Sequence, residues 1–206
     1  TTQALTGGTL TITSGGLLLG AAGVDPRAPL SHSAPLNFGN AEGVIMLDDA
    51  AYHKFTGAIT ANNGLTVGGR DLLTSATMCL ELAADNSATL KGQITINRGL
   101  LYHTADNQLG AATNVVYLNS GSNEHSFQGG DGGLILGYSP SSSRKIVLGP
   151  NGGTIFPINS AVMNYEVSGE GSLTFAGLSY PISTSGSVTI SKALTHLGGT
   201  YFTRFG

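Results

Sequence analysis

The stretch GAITANNGLTVGG, Gly57 to Gly69, decides how the rest of the chain is read. Residues one pleat apart in a strand share a face, so Ile59 and Ala61 point one way and Thr60 the other. Two asparagines and Gly64 then interrupt the alternation. Leu65 and Val67 resume it around Thr66. The stretch therefore reads as strand, bend, strand, with a glycine where the bend needs positive φ or close backbone approach. No apolar spacing of helical period is present in it.

The same phrase recurs. GTLTITSGGLLLG (from Gly8) and GQITINRGLLYH (from Gly92) repeat the pentad, the two-residue spacer, the glycine and the second apolar strand. Shorter pentads stand at GSLTF (Gly171) and GSVTI (Gly186). Between them lie VIMLDD, TMCLELA, NVVYLN, GGLILG, KIVLG, GGTIFPI and MNYEVSG, all read as strands. DLLTSATMCLELAADNS is the best helix candidate, but its alternation and β-branched residues favour strand. Repeats of this kind suit an antiparallel sandwich or barrel, or a parallel solenoid. Asn-Gly pairs at Asn63 and Asn151 would suit hairpins. The recurring unit with like faces apolar favours the solenoid, with pentads stacked Thr above Thr and Ile above Ile. The expectation is one all-β domain over 1–206, a parallel β-helix with essentially no α-helix. Loop insertions are expected at about 22–36, where Pro26, Pro29 and Pro35 exclude regular structure, and at 137–145.

Composition supports this class. Glycine numbers 31 of 206 residues, charged residues are only 10%, and tryptophan is absent. Typical chains hold about 7% glycine and about 25% charge. Net charge is −3, which gives no footprint for nucleic acid. No apolar run reaches the roughly 20 residues needed to span a bilayer. The chain opens at Thr1 without Met or signal peptide and is read as mature or excised. One cysteine excludes an internal disulfide framework.

LTGGTLTITSGGLLLG, GAITANNGLTVGG, ITINRGLLYHTADNQLGAATNVVYLNSG and GGTIFPINSAVMNYEVSGEGSLTFAG resemble autotransporter-associated β-strand repeats. The phrase TADNQLGAATNVVYLNSG matches their recurring A-D-N-x-L-G element. The resemblance covers most of residues 1–15, 40–135 and 150–178. It implies a right-handed parallel β-helix that is exported, placing the protein outside the cell or on a bacterial surface. The proline-bearing loop at 24–35 and the lack of a translocating barrel depart from the pattern.

His103, Asp106 and Asn107 crowd together as a catalytic or metal site would. Asp and Asn at a bend bond their own backbone, so the cluster reads as a structural corner. GGDGG (Gly129 to Gly133) is one isolated copy of a calcium-turn pattern and lacks a neighbouring turn to complete it. The five histidines (His32, His53, His103, His125, His196) have no metal-ligand spacing, and no phosphate-binding loop is present. Cys79 faces outward beside Glu81 if Met78 and Leu80 face inward; an exposed thiol and a buried small hydrophobe both remain open. Tyrosines and phenylalanines near turns read as core or rung-stacking residues before sugar-stacking ones. No cofactor is expected.

A solenoid exposes strand edges at its ends, usually blunted by charge, proline or a cap. Thr9, Leu10, Thr11, Ile12 and Thr13 enter the repeat at once. Thr200, Tyr201, Phe202, Thr203 and Phe205 form a β-prone, aromatic stretch. These ten residues are the candidate assembly interface, with further copies of the chain or neighbouring repeats as partner and glycans as a second partner class. The expected role is a non-enzymatic, extracellular structural or adhesive protein that assembles end to end into a filament or matrix. The alternatives are a glycan-binding module on the same fold, or a polysaccharide lyase or hydrolase with Asp48, Asp49 and Arg70 as its site.

Overall fold

The structure is a computed structural model that describes residues 4–20, 28–48, 51–69, 78–119, 132–137, 144–158, 161–177 and 188–204. The chain winds as a β-solenoid in which every strand pairing is parallel to its neighbour. Three faces are built in succession. Face A holds Leu10–Thr11, Leu36–Asn37 and Ile59–Thr60. Face B is a 7-stranded sheet running from Leu17–Leu19 through Gly43–Leu47, Leu65–Gly69, Ile94–Ile96, Val116–Leu118 and Lys145–Leu148 to Glu166–Gly169. Face C is an 8-stranded sheet running from Leu30–His32 to Thr200–Arg204. Ala161–Met163 and Val188–Ile190 form a further parallel pair. The helical content among the described residues is one 3-10 turn, Asp106–Leu109.

Parallel pairing in register turns the pleat into columns. Leu65, Ile94, Val116, Ile146 and Val167 stack on face B with their side chains in the core. Leu80, Leu101, Leu134 and Ile155 stack on face C and are fully buried. A leucine in such a column contributes about 2–5 kcal/mol against alanine, because the coils above and below cannot collapse into the gap. The pentads obey the alternation read from them: Ile94 and Ile96 are buried while Thr95 is half-exposed.

Their stacking differs from expectation. The Gly8 and Gly57 pentads both lie on face A, where Leu10, Leu36 and Ile59 align. The Gly92 pentad lies on face B instead, with Thr95 above Thr66 rather than above Thr60. The Gly171 pentad supplies Leu173–Gly177 on face C. An in–out alternation of period two is the same on every face, so the pentad specifies a strand and its pleat but not its face.

The first of the expected loops also contains strands. Leu30–His32 opens face C inside the 22–36 segment, and Leu36 begins the next face A strand. Proline removes a donor but keeps its carbonyl, and Pro35 accepts a hydrogen bond from Leu10 N–H at 2.8 Å. Lys145 begins a face B strand, and Arg144 before it is buried. Residues 21–27 and 138–143 lie outside the described residues.

The bends follow the glycine rule. Gly15, Gly64 and Gly99, the bend glycines of the three long repeats, have φ of 78°, 99° and 77°. At the Gly64 bend the corner itself is stitched to both neighbours. Asn62 N–H donates to Gly39 O at 2.9 Å, and Gly64 N–H donates to Lys91 O at 2.7 Å. A Cβ on Gly64 would collide with Gln93 O, whereas one on Gly15 would meet open space. Gly15→Ala is therefore expected to cost about 1–2 kcal/mol from its left-handed backbone alone. Gly64→Ala should cost clearly more, and denaturant titration of the two variants measures the difference.

Candidate functional site

The expected interface residues lie at opposite ends of the stack. Leu10–Thr11 pairs with Leu36–Asn37 on one side, and Leu10 and Ile12 are half-buried against the core while Thr9, Thr11 and Thr13 are exposed. Thr200–Arg204 pairs with Leu173–Gly177 in the last position of face C. Thr200 is exposed and Tyr201 half-buried. His196 ties this strand down: its Nδ1 lies 3.2 Å from Gly171 O and its Nε2 2.9 Å from Thr200 Oγ1. Thr203 belongs to the strand, and Phe205 lies outside the described residues.

Phe202 is the decisive member. Its register partner is Phe175, whose own partner is Ile155, so Phe202 continues the fully buried column Leu80, Leu101, Leu134 and Ile155. The Phe175 and Phe202 rings stack at 5.3 Å and 16°. Yet Phe202 is 69% exposed, and Leu197 beside this end is 84% exposed. The two end stretches occupy different faces, since Thr200–Arg204 is on face C and Leu10–Thr11 on face A. The face C strand at the far end is Leu30–His32, which lay within the expected loop. Its Leu30 begins the column that Phe202 ends.

Near Leu30 three groups form a buried relay. Leu5 N–H donates to His32 Nδ1 at 3.0 Å, which leaves the His32 hydrogen on Nε2, 3.0 Å from His53 Nδ1. The His32 ring stacks on Phe55 at 4.7 Å, and burial lowers its pKa. Leu5 O in turn accepts from Ser33 and Ala34 N–H. The relay fastens the first described residues onto the first face C strand.

The corner at His103 is held together by side chains. Asp106 opens the 3-10 turn and takes Arg144 on both carboxylate oxygens, at 3.1 and 2.9 Å. Arg144 also donates to the carbonyls of Asp106, Ala111 and Asn114, and its side chain is 0% exposed. Gln108 Oε1 accepts from the backbone of Thr104 and Ala105. Asn86 and Asn114 bridge coils by accepting from Ile59 and Gly92 N–H and donating to Gln108 O and Leu90 O. These side chains replace a face A strand where that sheet has stopped. Removing Arg144 leaves Asp106 and several carbonyls without their donor, so Arg144→Met is expected to cost about 3–5 kcal/mol. Thermal unfolding of Arg144→Met and of Asp106→Asn checks it, and both are expected to be strongly destabilising, since Asp106→Asn leaves a fully buried guanidinium without its carboxylate.

His103 faces the core in a column with Leu82 and Leu136. Burial pushes its pKa down to about 4, against smaller opposing effects of the Ala105 carbonyl and Asp106. Unfolded His103 takes its proton below about 6.5, folded His103 only below about 4. The unfolded state therefore binds more protons between these values, and stability falls as pH drops through that window by about 3 kcal/mol. His103→Leu should flatten that part of the stability–pH curve, as measured by urea unfolding between pH 7 and about 4.

Both faces of the face C sheet are buried. Tyr52, Cys79, Leu100, Ile135, Phe156 and Ala176 form a second apolar cluster on its outer side. Cys79 thus points outward, as alternation with Met78 and Leu80 requires, and is also buried, which raises its pKa. Glu81 on the same side is 3% exposed, accepts the Tyr52 hydroxyl and pairs with Lys54 at 2.9 Å. Burial, then Glu81, raises the Tyr52 pKa.

The alternative acidic site is not assembled among the described residues. Asp48 N–H donates to Leu19 O at the end of a face B strand, Glu42 accepts from Thr66 at the other end, and Asp49 and Arg70 lie outside those residues. Of GGDGG, Gly132 and Gly133 are described, and Gly133 begins a face C strand. Among the described residues no three His, Cys, Asp or Glu side chains converge as metal ligands would. No described helix is long and apolar enough to cross a membrane. No protein-family model, curated protein or solved structure matches the chain.

Proposed function

We propose that this protein is a structural and adhesive β-solenoid that acts without catalysis and associates end to end. The observation that carries the reading is Phe202: a residue of an interior column, stacked on Phe175, yet 69% exposed. Burying such a ring against a further coil stabilises by about 2–3 kcal/mol. The strand bearing it stands last in the face C sheet among the described residues, and a sheet edge of this kind is a template for another parallel strand.

The partner that fits is a second copy. Its Leu30–His32 strand opens the same face, and its half-buried Leu30 and Leu17 begin columns that run through this chain. Joining the last face C strand of one copy to the first of the next is a head-to-tail contact, which builds a fibre when its operator does not close. Charge opposes this little, since only 10% of residues are charged. The resemblance to autotransporter-associated repeats supports an exported location at a cell surface.

Negative-stain electron microscopy and sedimentation velocity test the reading. Wild-type protein is expected to form filaments at micromolar concentration, and Phe202→Asp to remain as short rods with the same circular dichroism. Monodisperse wild-type rods, or filaments unchanged by Phe202→Asp, would overturn it.

A further inference from the structure

We infer that His32 and His53 form an acid-opened latch at the end of the stack where face C begins: one proton taken up by the pair releases Leu5 from the next coil. That a second copy docks at this end rests on the end-to-end reading above. Both rings lie inside the stack, with His32 2% and His53 1% exposed. Leu5 is half-buried against the same core. Its N–H donates to His32 Nδ1 at 3.0 Å, and its carbonyl accepts from Ser33 and Ala34 N–H at 2.9 and 3.1 Å.

The ring hydrogens of the pair are assigned by their neighbours. A backbone N–H only donates, so His32 Nδ1 is bare and its hydrogen sits on Nε2. That hydrogen faces His53 Nδ1 at 3.0 Å, so this nitrogen is bare as well and the His53 hydrogen sits on Nε2. One further proton has two places to go. On His32 Nδ1 it meets the Leu5 N–H head on. On His53 Nδ1 it meets the His32 Nε2 hydrogen, and moving that hydrogen to His32 Nδ1 again evicts Leu5. Every arrangement that keeps the two rings bonded therefore loses Leu5.

Among the described neighbours the inner side is apolar: register sets Leu30 and Leu80 beside His53, and Phe55 beside His32. The titratable groups of the adjoining strands, Tyr52, Lys54, Cys79 and Glu81, alternate to the outer side of the sheet, where Lys54 and Glu81 pair at 2.9 Å. His103 shares the His32 column but lies beyond Phe55 and Leu82. Burial lowers the His32 pKa, and opening the latch returns it towards the usual 6.5. The opened form thus binds more protons. The latch is fully closed above about 6.5 and weakens as pH falls below it, by at most about tenfold for each pH unit. The same proton acts on the joint. With Phe202 carried onto Leu30 of the next copy, Arg204 comes into register with that copy's His32, so a charged His32 sets two cations at one position.

Hydrogen exchange by NMR on the full chain carrying Phe202→Asp reads the latch apart from assembly. Between pH 7 and 5 the protection factors of the Leu5, Ser33 and Ala34 amides are expected to fall about tenfold, while those of Ile94 and Leu100 hold. Ring ¹⁵N shifts should show His32 in its Nε2–H form at pH 7, taking up a proton as Leu5 loses protection. His32→Asn offers a carbonyl in place of Nδ1, an acceptor that does not titrate, and should hold Leu5 at both pH values. His103→Leu should leave the response of Leu5 as it is. In sedimentation over the same range, wild-type filaments should shorten and those of His32→Asn persist. Leu5 protection that ignores pH, that falls equally in His32→Asn, or that falls without His32 taking a proton would overturn the latch. Filaments indifferent to an open latch would overturn its hold on the joint. Absence of filaments at every pH would overturn the end-to-end reading alone, since exchange in Phe202→Asp decides the latch by itself.

Discussion

Everything in this molecule depends on one requirement: the backbone of each coil finds its hydrogen-bond partners in the coils above and below. Parallel strands bond only to neighbours, so a coil alone satisfies almost nothing. The consequence is vertical. Once Leu65, Ile94 and Val116 are bonded in register, their side chains have no freedom to avoid one another and must fit as a column. The bends are held to the same rule, as Asn62 and Gly64 show by bonding to coils on opposite sides. Where face A ends, the requirement does not lapse. Asn86, Asn114, Gln108 and Arg144 supply from side chains the donors and acceptors that a strand would have provided from its backbone.

How much of this was written legibly follows from the same physics. Alternation of period two marks strands and sorts inside from outside, so the pentads, the bend glycines and the strands between them could be read directly. The face a strand joins depends on the length of chain spent reaching it, and that length has no residue signature; hence Thr95 stands over Thr66. Double-sided burial of face C did leave a trace. GGLILG and GGTIFPI are continuous apolar runs, as a parallel sheet covered on both sides requires, but face B has such runs too in VIML and IVL, so the trace alone does not separate the two faces. Arg144 left none. A basic residue after three serines reads as solvated, and only the vacancy left by face A makes its burial intelligible.

The candidate surfaces differ in the same way. The exposed aromatic at Phe202 lies in a stretch whose β-prone, aromatic character the residues show, whereas Leu30, at the opposite end of the same column, follows Pro26 and Pro29, which hide its strand.

The Arg144–Asp106 pair has a consequence for how the chain finds this arrangement. Columns of leucine, isoleucine and valine are chemically alike from coil to coil, so a folding segment displaced by one coil would meet neighbours nearly as good as its own. Such a degenerate landscape invites frame errors, and apolar packing alone penalises them weakly. A guanidinium that loses its carboxylate and four carbonyls in any other frame penalises them strongly. The buried ion pair thus works as an index mark, fixing the count of coils on either side of it in a stack whose other parts are nearly interchangeable.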